Sequence, residues 1–128
     1  MKRKTLSNRR GHITQKVRIG NIRTLYLSID DEPPNEIFLR IRGQADAEKV
    51  VGYDVIARLI SMALQHGITV ATIAERLHGT RSEPAGPVVG DDEVKFCDGT
   101  MDYIGRHLLI RFAGRTDLAH VTKEPSCE

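Results

Sequence analysis

The hydrophobic period of this chain changes once, near residue 45, and that change sets the fold class. Before it, three short segments alternate apolar and polar residues, which is the period of a strand with one covered face. After it, apolar residues recur at three- and four-residue steps, which is the period of an amphipathic helix. The sequence therefore predicts an α+β domain in which two to three helices pack on a small antiparallel sheet.

The three predicted strands, ITQKVRI, IRTLYLSID and EIFLRIR, form a meander. Gly20 and Asn21 supply a tight turn after the first strand, and the proline-containing DDEPPN follows the second. The residues predicted to face the core are Ile13, Gln15, Val17 and Ile19, then Leu25, Leu27 and Ile29, then Ile37, Leu39 and Ile41. The other face is predicted to carry Arg18, Arg23, Tyr26, Arg40 and Arg42. This face is available to a ligand or a partner chain, although solvated surface charge explains it equally well.

Three helices are predicted to follow. The first runs from about Asp46 to His66 and ends at Gly67, and the second follows a Thr69 cap and ends at Gly79. The first is predicted to bury Val51, Val55, Ile56, Leu59, Ile60, Ala63 and Leu64. The third is capped by Thr100 and carries an apolar stripe of Met101, Ile104, Leu108, Leu109 and Phe112. We predict a basic arm over residues 1–11, the α+β domain over 12–113 and a polar tail over 114–128.

Charge is concentrated at the start of the chain. The first ten residues carry +5 while the whole chain carries +2, so the rest carries about −3. Such an arm can contact nucleic acid, and a flexible solubilising tail is the simpler interpretation. No apolar run is long enough to cross a bilayer and no apolar segment follows the basic start, so neither a membrane span nor a secretory signal is expected. Two distant cysteines fit a reducing, cytoplasmic setting.

The sequence offers little for catalysis or metal binding. The five histidines are scattered, and none lies at ligand spacing from a cysteine or carboxylate. Cys97 follows an aromatic residue in an apolar patch, which favours a buried, inert thiol. No nucleophile elbow or Walker-type glycine loop is present. We therefore predict no catalytic residue and no metal site.

The stretch SEPAGPVVGDDEVKFCDGTMDYIGRHL, Ser82 to Leu108, is the better candidate for a binding site. It begins with a long Gly- and Pro-rich connection that apolar residues can anchor, and such connections are usually functional when ordered. It leads into a helix N-terminus, which favours an anion, with arginines nearby. The candidate ligand-binding residues are Arg81, Ser82, Gly86, Gly90, Asp92, Thr100, Asp102 and Arg106. Arg18, Arg23 and Arg40 on the strands are secondary candidates. Turn glycines and a solvated acidic corner are the structural alternative.

Several segments together resemble a known family. NRRGHITQKVRIG, LYLS, EIFLRI, DVIARLISMALQHG, EPAGPV and DYIGRHLL resemble the TSCPD domain of adenosylcobalamin-dependent (class II) ribonucleotide reductases, over roughly residues 8 to 112. In that family the domain lies C-terminal to the catalytic barrel. The signature Thr-Ser-Cys-Pro-Asp falls on Asp98 to Asp102, where only Asp102 matches and Thr100 replaces the cysteine. A redox or metal role tied to that cysteine does not carry over.

The resemblance implies a domain that acts beside other parts. Adenosylcobalamin and the catalytic cysteines belong to the barrel, so no cofactor is expected here, and the chain is not expected to reduce a ribonucleotide unaided. One interpretation is a detached accessory or regulatory module that works with a separate reductase chain and binds a nucleotide or another phosphate-bearing ligand. A second is a phage-type sponge that sequesters a cyclic nucleotide immune signal. A third is a structural subunit without a small ligand. We also expect a homo-oligomer, because three strands alone leave exposed edges.

Overall fold

A computed structural model describes residues 12–30, 34–43 and 47–121 of the chain. The predicted arm over residues 1–11 lies outside the described residues. The strands are β1 (Ile13–Ile19), β2 (Arg23–Ile29), β3 (Ile37–Gly43), β4 (Gly86–Val89) and β5 (Phe96–Cys97). The helices are α1 (Ala47–Gln65), α2 (Val70–Leu77) and α3 (Thr100–Ala113), followed by a 3-10 turn at Thr116–Leu118. The α+β class predicted from the change of period is confirmed.

The sheet has five strands in the order β3-β2-β1-β4-β5, and all neighbours are antiparallel. The prediction of three strands was wrong in number because the long connection pairs with the free edge of β1. Val88 aligns with Ile19, and Pro87 aligns with Phe96. Strand β4 has four residues and begins with Gly and Pro, and β5 has only two residues, so neither shows enough alternation to be recognised in the sequence.

The turn between β1 and β2 is the one that the sequence predicts. Gly20 and Asn21 have φ of 61° and 59° as the central residues of a tight turn that the Ile22 N–H closes by donating to the Ile19 carbonyl at 3.3 Å, and Ile22 completes a three-residue connection. Ile13 consequently aligns with Ile29 and Ile19 with Arg23. This register places the apolar set of β2 beside that of β1 on one face.

One face of the sheet forms the core. All the apolar residues predicted inward on β2 and β3 are buried, as are Val17 and Ile19 of β1, whereas Ile13 remains exposed near the end of that strand. The outward placement of Arg23 was wrong. It has the same parity as Leu25, so it points inward and is only 3% exposed, with its guanidinium 5.9 Å from the Tyr53 ring centre.

Helix α1 packs against β3 and closes one end of the core. Ser61 of the helix accepts from the Ile37 N–H at 2.9 Å and donates to the Ile37 carbonyl at 3.1 Å. The buried side of α1 carries Ala57, Ile60, Ser61, Leu64 and Gln65. The prediction that Val51, Val55 and Leu59 also belong to the core was wrong, because they are 58%, 38% and 55% exposed on the opposite side of the helix.

Helices α2 and α3 pack closely at Gly105. A Cβ at this glycine would lie 2.5 Å from the His78 backbone nitrogen and 2.8 Å from the Ala74 carbonyl oxygen, so only glycine allows this crossing. Thr69 caps α2 as predicted and accepts from the Thr72 N–H at 3.2 Å. Tyr103, Ile104, Leu108 and Leu109 of α3 are buried. The two helices thus form one unit beside the sheet.

Residues 114–121 return toward the connection between β4 and β5. The backbone N–H groups of His120 and Val121 both donate to the Glu93 carbonyl, and the Lys95 N–H donates to His120 Nδ1 at 3.0 Å. This part of the chain therefore packs beside the segment that the sequence singles out. Across the described ranges, no helix combines the length and apolar character that a transmembrane span needs.

Candidate functional site

The two first residues of the proposed binding loop lie at an open cleft of about 460 Å³. Its lining consists of Arg81, Ser82, Glu83, Ala85 and Asp98. Arg81 and Ser82 are exposed, and two acidic side chains share the cleft with a single arginine. The cleft can accept a polar ligand, but the acids reduce its attraction for a phosphate.

Asp102 and Arg106 form a buried clasp between three segments. Asp102 is 0% exposed and accepts from the Gly79 N–H at 2.7 Å and the Asp98 N–H at 2.9 Å. Arg106 lies 3.5 Å from the same carboxylate and donates to the Leu118 carbonyl at 2.8 Å. The motif aspartate thus ties the end of α2 and the end of the loop to α3, and its polar groups are used inside the protein.

The glycines and the threonine of the loop also have structural environments. A Cβ at Gly90, where φ is 110°, would lie 2.6 Å from the Lys16 carbonyl oxygen, and a Cβ at Gly99 would lie 2.4 Å from Ser82 Oγ. Gly99, not Thr100, is the N-cap of α3, so the predicted cap was wrong by one residue. Thr100 is fully buried, and its hydroxyl has no hydrogen-bond partner within the described ranges. Gly86 is half-buried and Asp92 is exposed.

A buried polar cluster that sequence reasoning missed lies just beyond this clasp. Asp91 accepts from the Glu93 and Val94 N–H groups through one oxygen, and from the Tyr103 hydroxyl at 2.7 Å and His107 Nδ1 at 3.2 Å through the other. Burial acts to raise the pKa of Asp91, but hydrogen bonds from His107, Tyr103, Val94 and Glu93 outweigh it and lower the pKa. The spacing of Tyr103 and His107, four residues apart on one helix face, is the signal in the sequence that could have indicated this cluster.

The same cluster borders a small cavity of about 160 Å³. The lining residues are Asp91, Glu93, Val94, His107, Ile110, Arg111 and Thr116. Burial, and then the charge of Asp91, raise the pKa of the Tyr103 phenol, so this hydroxyl stays a donor. The cluster fixes the connection between β4 and β5 to the middle of α3.

Cys97 lies on β5 with 1% of its surface exposed and is a free thiol. Burial is the largest cause that raises its pKa, and Asp102 and Asp98 add to the effect. A thiol that is protonated and inaccessible is a poor nucleophile, as its sequence context predicts. Within the described ranges, no three His, Cys, Asp or Glu side chains converge as a metal site would require.

The most distinctive surface is the outward face of β1, β2 and β3, which we call the basic sheet face. Its nine positions form three rows across the strands, set by the register of the two pairings. The rows are Thr14–Ser28–Phe38, Lys16–Tyr26–Arg40 and Arg18–Thr24–Arg42. Four of the nine residues are cationic and none is acidic, so the face carries four positive charges; three of them, Arg18, Arg40 and Arg42, were predicted on this face from the sequence.

Tyr26 lies at the centre of the basic sheet face. Lys16 Nζ and the Arg42 guanidinium lie 5.7 Å and 5.9 Å from its ring centre, and Arg40 follows on β3. Phe38 in the adjoining row is 46% exposed. A depression of about 300 Å³ opens between the two aromatic residues and is lined by Thr14, Tyr26, Ser28, Phe38 and Arg40. The exposed Phe38 ring and the half-buried Tyr26 ring, with cations beside them, form a surface on which a base can stack beside its phosphates.

Comparisons with known proteins identify the family. The family model of the TSCPD domain matches residues 1–111. Vitamin B12-dependent ribonucleotide reductases of Bradyrhizobium diazoefficiens and Agrobacterium fabrum are 34% and 35% identical in alignments of 122 residues that cover 93% of this chain. The chain spans only 10% and 9% of these relatives. No solved structure matches it significantly. The chain belongs to the TSCPD domain family and is related to the corresponding segment of ribonucleotide reductases.

Proposed function

We propose that this chain is an accessory module of ribonucleotide reduction that binds a nucleotide through its basic sheet face. The observation that carries the proposal is the composition of that face, where four of the nine residues are cationic, two of these cations lie over the Tyr26 ring, and none of the nine is acidic. The similarity of the chain to a segment of B12-dependent reductases supports the connection to deoxyribonucleotide synthesis. Nucleotides are the substrates and products of such enzymes, so a nucleotide is the ligand class that unites both observations.

The basic sheet face carries one set of side chains that suits a base and another set that suits its phosphates. Tyr26 and Phe38 offer ring surfaces, and stacking of a base on an aromatic side chain contributes about 1–3 kcal/mol. Arg40 and Arg42 offer planar guanidinium groups that bind phosphate oxygens in pairs, while Lys16 adds a point charge. The depression of about 300 Å³ is at the small end of ligand pockets, which fits a single base.

The proposed role is binding without chemistry. Cys97 is buried, Asp102 is fully engaged in the clasp, and neither lies on the basic sheet face. Cobalamin, which the relatives' name implies, does not fit the loop cleft, since a cleft of about 460 Å³ is too small to enclose a corrin macrocycle with its nucleotide tail. We assign the cofactor and the reduction itself to a catalytic partner chain.

Calorimetric titration of the full chain with deoxyribonucleoside and ribonucleoside triphosphates tests the proposal. Arg40→Ala and Tyr26→Ala should each weaken binding at least fivefold, since a charge-assisted hydrogen bond and a stacked base each contribute about 1 kcal/mol or more. Arg76→Ala is the matched control, because this arginine is exposed on α2, away from the sheet. Arg81→Ala tests the loop cleft separately. Loss of binding in Arg81→Ala but not in Arg40→Ala would place the ligand in the loop and contradict the proposal.

Sequestration of a signalling nucleotide is the second candidate function, because the cations and the two aromatic rings of the basic sheet face also suit the phosphates and bases of a cyclic nucleotide. A panel of cyclic nucleotides and triphosphates separates the two functions. Weak binding of ordinary triphosphates, together with co-purification of a B12-dependent reductase chain, supports the accessory role. Tight binding of a cyclic nucleotide that is recovered unchanged, without affinity for a reductase, supports sequestration.

A further inference from the structure

Helix α1 has a second apolar stripe, on the side opposite its buried one. Val51, Val55, Leu59 and Met62 are between 38% and 58% exposed. At about 100° per residue these four side chains fall within about 80° of one another around the helix axis. Among the described residues nothing covers them, and an exposed apolar stripe of this length usually marks an interface. We propose that this stripe, which we call the α1 stripe, packs antiparallel against the same stripe of a second copy of this chain.

The residues of the stripe are arranged with the symmetry that such a dimer needs. In an antiparallel pair related by a two-fold axis, positions equally distant from the axis face each other. When the axis crosses the stripe at the level of residue 57 along the helix, Val55 faces Leu59 of the second copy, and Val51 lies beside its Met62. The steps of three and four residues along the stripe match the spacing that lets two helices interdigitate.

Charges at the ends of the stripe match in the same register. Glu48 and His66 lie nine positions before and after Ala57, on the same side of the helix as the stripe. His66 Nδ1 donates to the Met62 carbonyl at 2.8 Å, which leaves Nε2 directed away from its own helix. Each end of the pair thus brings the Glu48 carboxylate of one copy to the His66 imidazole of the other.

A second set of charges flanks the centre of the stripe. Asp54 and Arg58 form an exposed ion pair at 3.1 Å within each helix. A two-fold axis keeps both flanks on the same side, and with the axis level with residue 57 Arg58 of one copy lies two positions from both Asp54 and Arg58 of the other. This flank therefore holds two acids and two bases without net charge, and the Glu48–His66 matches at both ends favour a second copy of the chain over an unrelated apolar partner.

The expected affinity is modest. The helix of 19 residues is about 28 Å long. A contact along this length buries on the order of 1,000 Å², the lower limit for specific interfaces. We therefore expect monomers and dimers to exchange in the micromolar range, where light scattering and sedimentation of the full chain measure the equilibrium directly.

Leu59→Asp should weaken dimerisation at least tenfold, because it places a carboxylate against Val55 of the second copy. Val50→Asp is the matched control, since Val50 is also exposed on α1 but lies off the stripe. Circular dichroism checks that both variants fold. A chain that is monomeric throughout the micromolar and submillimolar range overturns the proposal. A dimer that Leu59→Asp leaves intact overturns the assigned surface.

A mixing experiment identifies the occupant even where Leu59→Asp does not fold. Asp54→Arg makes this flank positive in both copies, and Arg58→Asp makes it negative in both. Like charges then repel across the interface, so each variant alone should be monomeric at concentrations where the wild type is a dimer. An equimolar mixture of the two should recover the dimer, because opposite blocks then meet. Failure of the mixture to associate more than either variant alone contradicts the antiparallel pairing.

Discussion

Replacement of Asp102 by alanine tests whether the one retained residue of the family signature has a structural role. The wild-type carboxylate is fully buried and accepts from the Gly79 and Asp98 N–H groups, with Arg106 beside it. Alanine removes both acceptors and leaves two backbone donors and a half-buried guanidinium without their partner. The end of α2, the end of the loop and α3 lose their common contact.

The expected loss follows from these contacts. Each buried backbone donor left unsatisfied costs about 1–3 kcal/mol, so Asp102→Ala should lower the free energy of unfolding by about 2–5 kcal/mol. A domain of this size has about 5–15 kcal/mol in total, and each kcal/mol corresponds to about 3–6 °C in melting temperature. We expect a decrease of about 10–20 °C. Asp102→Asn should show a smaller decrease, because its amide keeps one acceptor oxygen.

Calorimetry and urea unfolding measure this loss directly. Asp117→Ala serves as the matched control, since it removes an exposed carboxylate that pairs with Arg115. It should leave the melting temperature nearly unchanged. If Asp102→Ala melts within about 2 °C of the wild type, a range typical of surface substitutions, the clasp does not hold these segments together. The retained aspartate would then require a functional explanation.

Three further predictions concern the glycine crossing, the acidic cluster and the thiol. Gly105→Ala should lower the free energy of unfolding by about 1–3 kcal/mol, because the added Cβ would overlap the His78 backbone. Gly52→Ala should raise it by up to about 1 kcal/mol, because a Cβ there meets nothing within 4 Å. Urea unfolding compares the two variants. Folding lowers the pKa of Asp91, so its carboxylate contributes fully to the free energy of unfolding above the ordinary pKa of 3.8, and this contribution falls as the pH drops further. Asp91→Asn should therefore reduce the dependence of the free energy of unfolding on pH below about pH 4. Iodoacetamide should label Cys97 only after unfolding, as peptide mass spectrometry would show, and rapid labelling of the native chain would contradict its burial.

The strands and helices with clear periods were predictable. The β1–β2 hairpin follows from Gly20 and Asn21, and the inward sets of β2 and β3 follow from strict alternation. The short strands β4 and β5 were not predictable, because pairing to the edge of β1 creates them and no local pattern of their own does. A sequence shows periodicity, but it does not show which edges remain open for pairing.

Helix α1 shows a second limit of periodicity. Its apolar residues fall on two opposite sides, and the sequence alone assigns both to the core. The structure separates Ile60 and Leu64, which pack inside, from Val55 and Leu59, which are exposed. Arg23 shows the converse, because charge suggested the outside while strand parity required the inside. The alternation of the strand, and not the charge of the residue, determines the side of the sheet on which Arg23 lies.

The candidate site was only partly predictable. The sequence predicted Arg18, Tyr26, Arg40 and Arg42 on one strand face, but the row that places Lys16 and Arg40 on either side of Tyr26 depends on register across three strands. The loop drew attention through its length and glycines. Its polar residues Asp102 and Arg106 instead contact one another and the neighbouring backbone. The sequence alone does not distinguish residues that bind a ligand from polar residues that are buried for structural reasons.

The basic sheet face is the centre of this account, and one titration tests it directly. Nucleotide binding to the wild-type chain should be compared with binding to the Arg40→Ala variant at low and at physiological salt. We expect saturable binding that weakens with salt and falls at least fivefold in Arg40→Ala, while Arg76→Ala binds as the wild type does. Equal affinity of Arg40→Ala and the wild type, or no binding by the folded wild-type chain, would contradict the account.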